Sequence, residues 1–222
     1  MTAPSFDLER AKAHLVHDRR LAEVIGRARD FELRREPGQG PYEALARAIV
    51  YQSISGKAAA TIWGRVRACG DDGSFPSPDR IRRMRLATLR GAGLSAAKAA
   101  AFKDLARAAR AGIVPTLEQA LALEDEALMD RLVTIRGIGR WTVEMLLIFH
   151  LGRPDVLPTA DLGVQKGFAL TYGWPKPPTP RQLAEYGERW RPYRTLAAWY
   201  LWRAVELAAA EKRVRAAANG VT

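Results

Sequence analysis

The stretch Leu132-Val133-Thr134-Ile135-Arg136-Gly137-Ile138-Gly139-Arg140-Trp141-Thr142-Val143-Glu144 decides how this chain is read. One helical apolar pattern ends near Leu132 and another begins near Arg140. Between them, two glycines flank a single apolar residue. Each can take positive φ or let other backbone come close, so the pair suits a tight turn between helices. Ile138 would plug the angle. The amides of Gly137, Gly139 and Arg140 would then point outward at a helix start, where aligned backbone dipoles favour an anion such as phosphate. Gly-x-Gly by itself describes an unliganded helix corner equally well, so the weight falls on what surrounds it.

Outward from the turn, helical spacing dominates. Tyr42, Leu45, Ile49 and Ile54 fall on one side of a segment that starts after Pro41. Ile62, Val66 and Cys69 continue the pattern, and Phe102 and Leu105 do so in the Ala-rich run 96–111. Start signals agree: Ser77-Pro78 and Thr179-Pro180 place a hydroxyl before a proline suited to the first helical turn. Thr116 with Gln119, and Thr179 with Gln182, have capping-box spacing. Gly70, Gly91, Gly112 and Gly173 mark stops. There is no alternating β pattern, and the proline-rich segment 174–180 reads as a stiff connection. The fold class expected is all-α, with roughly ten short helices. Residues 60–151 would form a central helical lobe containing the hairpin, and 1–59 would join 152–222 in a second.

The 222 residues carry 35 Lys and Arg against 24 Asp and Glu, a formal charge of +11. That charge points to a polyanionic partner or to simple solubility and says nothing of fold. With one cysteine, Cys69, the chain cannot form an internal disulfide, a multi-cysteine zinc site or a thiolate-held iron–sulfur cluster. Neither a secretory leader nor a run long enough to span a membrane is found, so the expected compartment is the reducing cytoplasm or nucleoid. A basic cluster, Arg80, Arg82, Arg83, Arg85 and Arg90, reads either as a solvated face or as a polyanion contact. Beside it, Leu89-Arg90-Gly91-Ala92-Gly93-Leu94-Ser95-Ala96-Ala97-Lys98 looks like a second turn of the same kind. The preferred reading there is a helix C-cap followed by a Ser95 N-cap.

Downstream of the hairpin comes Asp155-Val156-Leu157-Pro158-Thr159-Ala160-Asp161-Leu162-Gly163-Val164-Gln165-Lys166. Its prolines stiffen a loop, and Asp161 precedes a helical segment. Taken alone, such an aspartate is an N-cap worth about 1 kcal/mol.

Together these segments resemble the helix–hairpin–helix DNA glycosylase superfamily, most closely its 3-methyladenine DNA glycosylase II branch. The resemblance is carried by Ile49 to Ala59, Gly93-Leu94-Ser95 with Lys98, Gly137 to Thr142 and Asp155 to Val164, and more weakly by Glu188 to Arg194. It runs from about Pro41 to Trp202. It implies a two-lobed helical fold with the active site in a cleft between lobes. Asp161 matches the catalytic aspartate, and the rival acid Asp155 falls outside the motif. Trp141 and Tyr193 match base-pocket aromatics, while Trp63, Trp174, Trp190, Trp199 and Trp202 are read as packing. Gln52, Ser53, Gly137, Gly139, Arg140, Thr142 and Lys166 would meet DNA. The carbonyls of Val133, Ile135 and Ile138 would hold a structural Na+ or K+; no other cofactor is required. The partner implied is double-stranded DNA, engaged by a monomer.

The expected chemistry is hydrolysis of the N-glycosidic bond of an alkylated purine. The scissile bond leaves positive charge on the sugar, which a fixed carboxylate stabilises. Bifunctional relatives carry a nucleophilic lysine where this chain has Trp141, so no Schiff base is expected and the product is an abasic site. Two departures stand out. Ser53 is too small to fill the gap left by a flipped base, and about forty residues stand where larger relatives carry a β-rich domain, so the chain resembles the compact members. Gln52 fits a DNA contact and a packing role equally. Two alternatives stay open: a glycosylase for uracil or hypoxanthine, and a non-catalytic DNA-binding module.

Overall fold

A computed structural model describes residues 6–28, 40–71 and 74–218. Residues 29–39, within the N-terminal stretch read as mostly helical, lie outside the described residues. The described chain is helical throughout, with no strand among the described residues. Its thirteen α-helices exceed the ten expected, because short helices such as Pro78–Arg83 and Leu86–Gly91 are separated by only two non-helical residues, Met84 and Arg85. Close Cα approaches group the chain into two units: Glu36–Leu151, and Met1–Arg35 with Gly152–Thr222. The segment Pro41–Tyr51, expected with the chain termini, falls in the unit that holds the hairpin.

In the hairpin unit, α3 (Pro41–Tyr51) packs on α4 (Gly56–Arg67), on α7 (Ala96–Arg110) and on α10 (Arg140–Met145). Leu45 and Ile49 of α3 are fully buried, as the apolar spacing implies, and Val50 is buried with them. Ile54 departs from that expectation: α3 ends at Tyr51, and Ile54 sits in the following loop, 38% exposed. Helices α5 (Pro78–Arg83) and α6 (Leu86–Gly91) pack against α7. Phe75 stacks on Trp63 with centroids 5.1 Å apart and meets Tyr42 and Phe102, closing the aromatic end of this core. Burial raises the Tyr42 hydroxyl well above its ordinary value. Helices α8 (Leu117–Ala122) and α9 (Asp125–Leu132) lead to the hairpin, and α10 runs on into a π-helical turn, Leu146–Leu151. The Ser77 cap, the Thr116–Gln119 box and the Ser95 cap form as read.

In the terminal unit, α11 (Leu162–Tyr172) packs along α13 (Arg194–Ala218), and α2 (Arg19–Arg27) packs on both. A Cβ at Gly167 would stand 1.9 Å from the Leu201 carbonyl oxygen, so glycine is what lets α11 lie this close to α13. Helix α1 (Leu8–Leu15) leads to Asp18, which caps α2 through Leu21 N. Its other oxygen accepts from the Tyr172 hydroxyl at 2.7 Å and the Trp190 indole at 3.1 Å. The Tyr172 hydroxyl is pushed far up by burial and by that carboxylate. Helix α12 (Pro180–Gly187) carries the expected Thr179–Gln182 box, and Gly173 ends α11 in the left-handed conformation, as read.

Asp18→Ala removes the cap and leaves two donors unmatched at once. It should cost about 3 kcal/mol of stability, read as a lower urea midpoint at unchanged slope. Asp18→Asn, which keeps an acceptor for the cap, should lose clearly less.

Candidate functional site

The hairpin is built by contacts within its own unit. Gly137 adopts φ +82, and a Cβ there would meet the Ala101 Cβ at 2.7 Å, so both backbone conformation and space require glycine. Gly139 differs from its expected role. Its φ of −98 is open to any residue, and nothing lies within 4 Å of its added Cβ. It serves as the N-cap residue of α10 with a bare flank. Ile138 is buried and plugs the corner as expected. The amides of Gly137, Gly139 and Arg140 donate to no acceptor among the described residues. An anion at this helix start would find three unmatched donors.

Neighbouring helices fix the turn by hydrogen bonds. Asp104 of α7 accepts from the Arg136 amide at 2.8 Å and from Arg107 at 2.7 Å. Those donors hold the Asp104 carboxyl below its ordinary value, the backbone amide contributing most. Gln52, just past α3, donates through Nε2 to the Gly137 carbonyl at 3.0 Å and to the Thr142 hydroxyl at 3.1 Å. Of its two roles weighed from sequence, packing is the one these bonds describe. Thr142 also sits differently from the expected DNA contact: it is 2% exposed, its hydroxyl accepts from Gln52 and its amide donates to Gly139. It shapes the turn from inside. Arg140 pairs with Glu126 and Glu144, each at 3.2 Å, so its charge is partly balanced within the unit. Trp141, on α10, is 37% exposed. Ser53 is exposed and adopts φ +57.

The three carbonyls read as cation ligands are not equivalent. The Ile135 carbonyl accepts from the Ile138 amide at 3.0 Å, whereas those of Val133 and Ile138 accept nothing among the described residues. A carbonyl keeps a second lone pair, so all three retain capacity for a hard cation. Among the described residues no group of three or more His, Cys, Asp or Glu could hold a metal ion.

The two acids of the terminal unit are separated by their partners. Asp155 is enclosed: Arg194 Nε meets it at 2.8 Å and Arg191 at 2.7 Å, and the Arg194 amide adds a third donor. It ties the loop to the start of α13. Asp161 is half-buried and caps α11 by accepting from Val164 N at 2.9 Å. The same oxygen accepts from the Trp202 indole at 2.8 Å. Two N–H donors on one oxygen fix the plane of the carboxylate. Trp202, read from sequence as packing, is therefore also a hydrogen-bond partner of Asp161, which the sequence reading did not foresee. No local pattern joins positions 41 residues apart; only the close approach of α11 and α13 does. Lys166 is exposed on α11. Tyr193 packs beside Phe6 and His14, with centroids 6.0 and 5.6 Å away.

Residues 46–192 match the family described as "HhH-GPD superfamily base excision DNA repair protein". The chain is 42% identical over 197 residues to DNA-3-methyladenine glycosylase 1 of Schizosaccharomyces pombe, covering 89% of this chain and 86% of the relative. It is 32% identical to the alkylbase DNA glycosidase-like protein mag2 of the same organism, covering 90% and 95%. Among solved structures, S. pombe 3-methyladenine DNA glycosylase in complex with abasic DNA matches with TM-score 0.78 at 40% identity, over 87% of this chain and 95% of that one. DNA-3-methyladenine glycosidase from Bacillus halodurans matches with TM-score 0.81 at 32% identity, over 95% of each chain.

The Asp104 clamp makes hairpin stability depend on pH. A carboxyl lowered in the folded state contributes fully above its unfolded value and loses that contribution as pH falls through the folded one. Urea midpoints of wild type and Asp104→Asn should therefore differ at neutral pH and converge as the solution is acidified below the ordinary carboxylate range. A gap that stays constant with pH would count against the clamp.

Proposed function

Since the chain belongs to the HhH-GPD superfamily of base excision DNA repair proteins, we propose that it is a monofunctional DNA glycosylase for alkylated purines, chiefly 3-methyladenine and also 7-methylguanine, in double-stranded DNA. The observation that carries this reading is the Asp161 carboxylate, oriented by the Val164 amide and the Trp202 indole. The relatives named for 3-methyladenine support the substrate class.

The chemistry follows from charge. As the N-glycosidic bond breaks, the sugar becomes oxocarbenium-like, and a fixed carboxylate stabilises it or orients the attacking water. Alkylation at N3 or N7 already makes the base a good leaving group, so one acid suffices. The base must first leave the stack. Trp141 and Tyr193 match the base-pocket aromatics of the family, and a cationic methylated purine stacked on such a ring gains cation–π attraction. The hairpin amides of Gly137, Gly139 and Arg140 hold a phosphate, with Lys166 as a further contact to the strand. Gln52 and Thr142 support this grip from within the turn. The carbonyls of Val133, Ile135 and Ile138 would hold a monovalent cation, which adds positive charge beside the phosphate. The chain acts as a monomer on nucleoid DNA; no helix among the described residues is long and apolar enough to cross a membrane.

Bases released from methylated DNA, measured by chromatography, test the assignment. Wild type should release 3-methyladenine, and Asp161→Asn should lower the rate about 100-fold or more. Trp202→Phe, which keeps an aromatic ring but removes the N–H, should lose about tenfold. Full activity of Asp161→Asn would remove the carboxylate from the mechanism. Borohydride should trap no enzyme on DNA, because Trp141 offers no amine. Binding should weaken steeply with salt and depend little on sequence.

A further inference from the structure

We propose that the cavity between the α1–α2 corner and the turn after α12 is a binding site for a phosphate group, separate from the hairpin. The cavity measures about 310 Å³, and all the residues that line it belong to the terminal unit. His14, His17 and Arg19 line it from the corner, and Arg189 and Trp190 from the turn Glu188–Trp190. The charge on this wall is unbalanced. Arg19 and Arg189 have no carboxylate partner among the described residues. Acids near Arg189 in sequence are engaged elsewhere: Glu185 with Arg181, and Glu188 with Arg191 and Arg194. Asp18 is the one acid on the wall, and its oxygens already accept from Leu21 N, Tyr172 and Trp190. Two guanidinium groups thus stand against one carboxylate, and the wall is positive even with both imidazoles neutral.

Arg189 is held for the task. Its guanidinium lies 3.6 Å from the centre of the Tyr186 ring, and its Nε donates to the Tyr186 carbonyl at 3.1 Å. Those contacts use one face and one N–H, which leaves the terminal N–H groups for an oxyanion. A second observation does not depend on charge. His14 Nε2 is buried and has no hydrogen-bond partner among the described residues. The ring meets Tyr193 edge to face, with centroids 5.6 Å apart, a contact that gives the nitrogen nothing to bond. Buried polar atoms left open are uncommon, and one on a cavity wall fits a partner that binds there. A metal ion is not that partner, because no group of three His, Cys, Asp or Glu among the described residues could hold one. A phosphate has enough oxygens to meet both guanidinium groups and an imidazole at once, whereas a carboxylate has two. Two sources carry the group: a phosphodiester of the bound strand, and a small phosphate-bearing molecule.

The full chain labelled with 15N-histidine gives three imidazoles to follow, His14, His17 and His150. His14→Gln and His17→Gln assign the signals. Inorganic phosphate is titrated at constant pH and ionic strength against chloride. The His14 and His17 signals should move and saturate, while His150, in the other unit, stays still. In Arg19→Gln and in Arg189→Gln the affinity for phosphate should fall about tenfold, and Arg189→Lys should recover part of it. Arg19 is exposed, so Arg19→Gln should melt with wild type in phosphate-free buffer, which separates lost binding from lost folding. A short undamaged duplex is the other arm. Movement of the same two signals with the duplex, abolished in Arg189→Gln, assigns the site to the strand. Movement with phosphate alone assigns it to a small phosphate-bearing molecule. Silence with both probes, equal affinity in wild type and both glutamine variants, or the same movement in chloride overturns the proposal. None of these readouts needs turnover, so a chain that released no base would sink the glycosylase reading and leave this site standing.

Discussion

The contact between Gly137 and Ala101 is the constraint on which the hairpin unit depends. A side chain at position 137 has no room, and the left-handed turn there admits few residues other than glycine. Once that approach is made, α7 brings Asp104 to the Arg136 amide, and the end of α3 brings Gln52 to the Gly137 carbonyl. The turn is thereby held on both sides. Among the described residues its amides at Gly137, Gly139 and Arg140 stay unmatched, because the internal bonding goes to the other groups of the turn. A set of open donors of this kind arises from satisfying everything else.

The two acids illustrate a second principle. Asp155 and Asp161 lie six positions apart in one stiff loop, and as residue types they are identical. Asp155 is consumed by two guanidinium groups and an amide, which leaves it a structural tie. Asp161 is oriented through one oxygen by two neutral N–H donors. Donors without net charge fix a carboxylate while leaving its field for a developing positive charge. Trp202 supplies an orienting bond without adding a charge of its own, which a lysine or arginine could not do.

Much of this was legible in the sequence for physical reasons. Capping hydroxyls, prolines at first turns and a helical apolar period act locally, so Ser77, Thr116 and Thr179 could be read where they stand. The hairpin was legible because glycine spacing is itself a backbone statement. What escaped was non-local. The Trp202 indole and the burial of Thr142 are consequences of which helices meet. Ile54 was placed on the apolar side of α3 because period alone continues past a helix end. The left-handed Ser53 that breaks the period has no signature in residue type. Gly139 was credited with a conformational need it does not have, since a glycine at a helix N-cap can equally be one that simply leaves space.

One consequence concerns the order in which the molecule is made. Glu36–Leu151 is continuous in sequence, whereas the other unit joins Met1–Arg35 to Gly152–Thr222. Asp18 waits for Tyr172 and Trp190, and Asp161 waits for Trp202. On a ribosome the hairpin unit can close as soon as it clears the exit tunnel, while α1 and α2 remain without their partners. The carboxylate receives its second donor only when the final helix emerges. A product of stalled translation that ended before α13 would therefore keep the hairpin unit whole while Asp161 lacked the Trp202 indole.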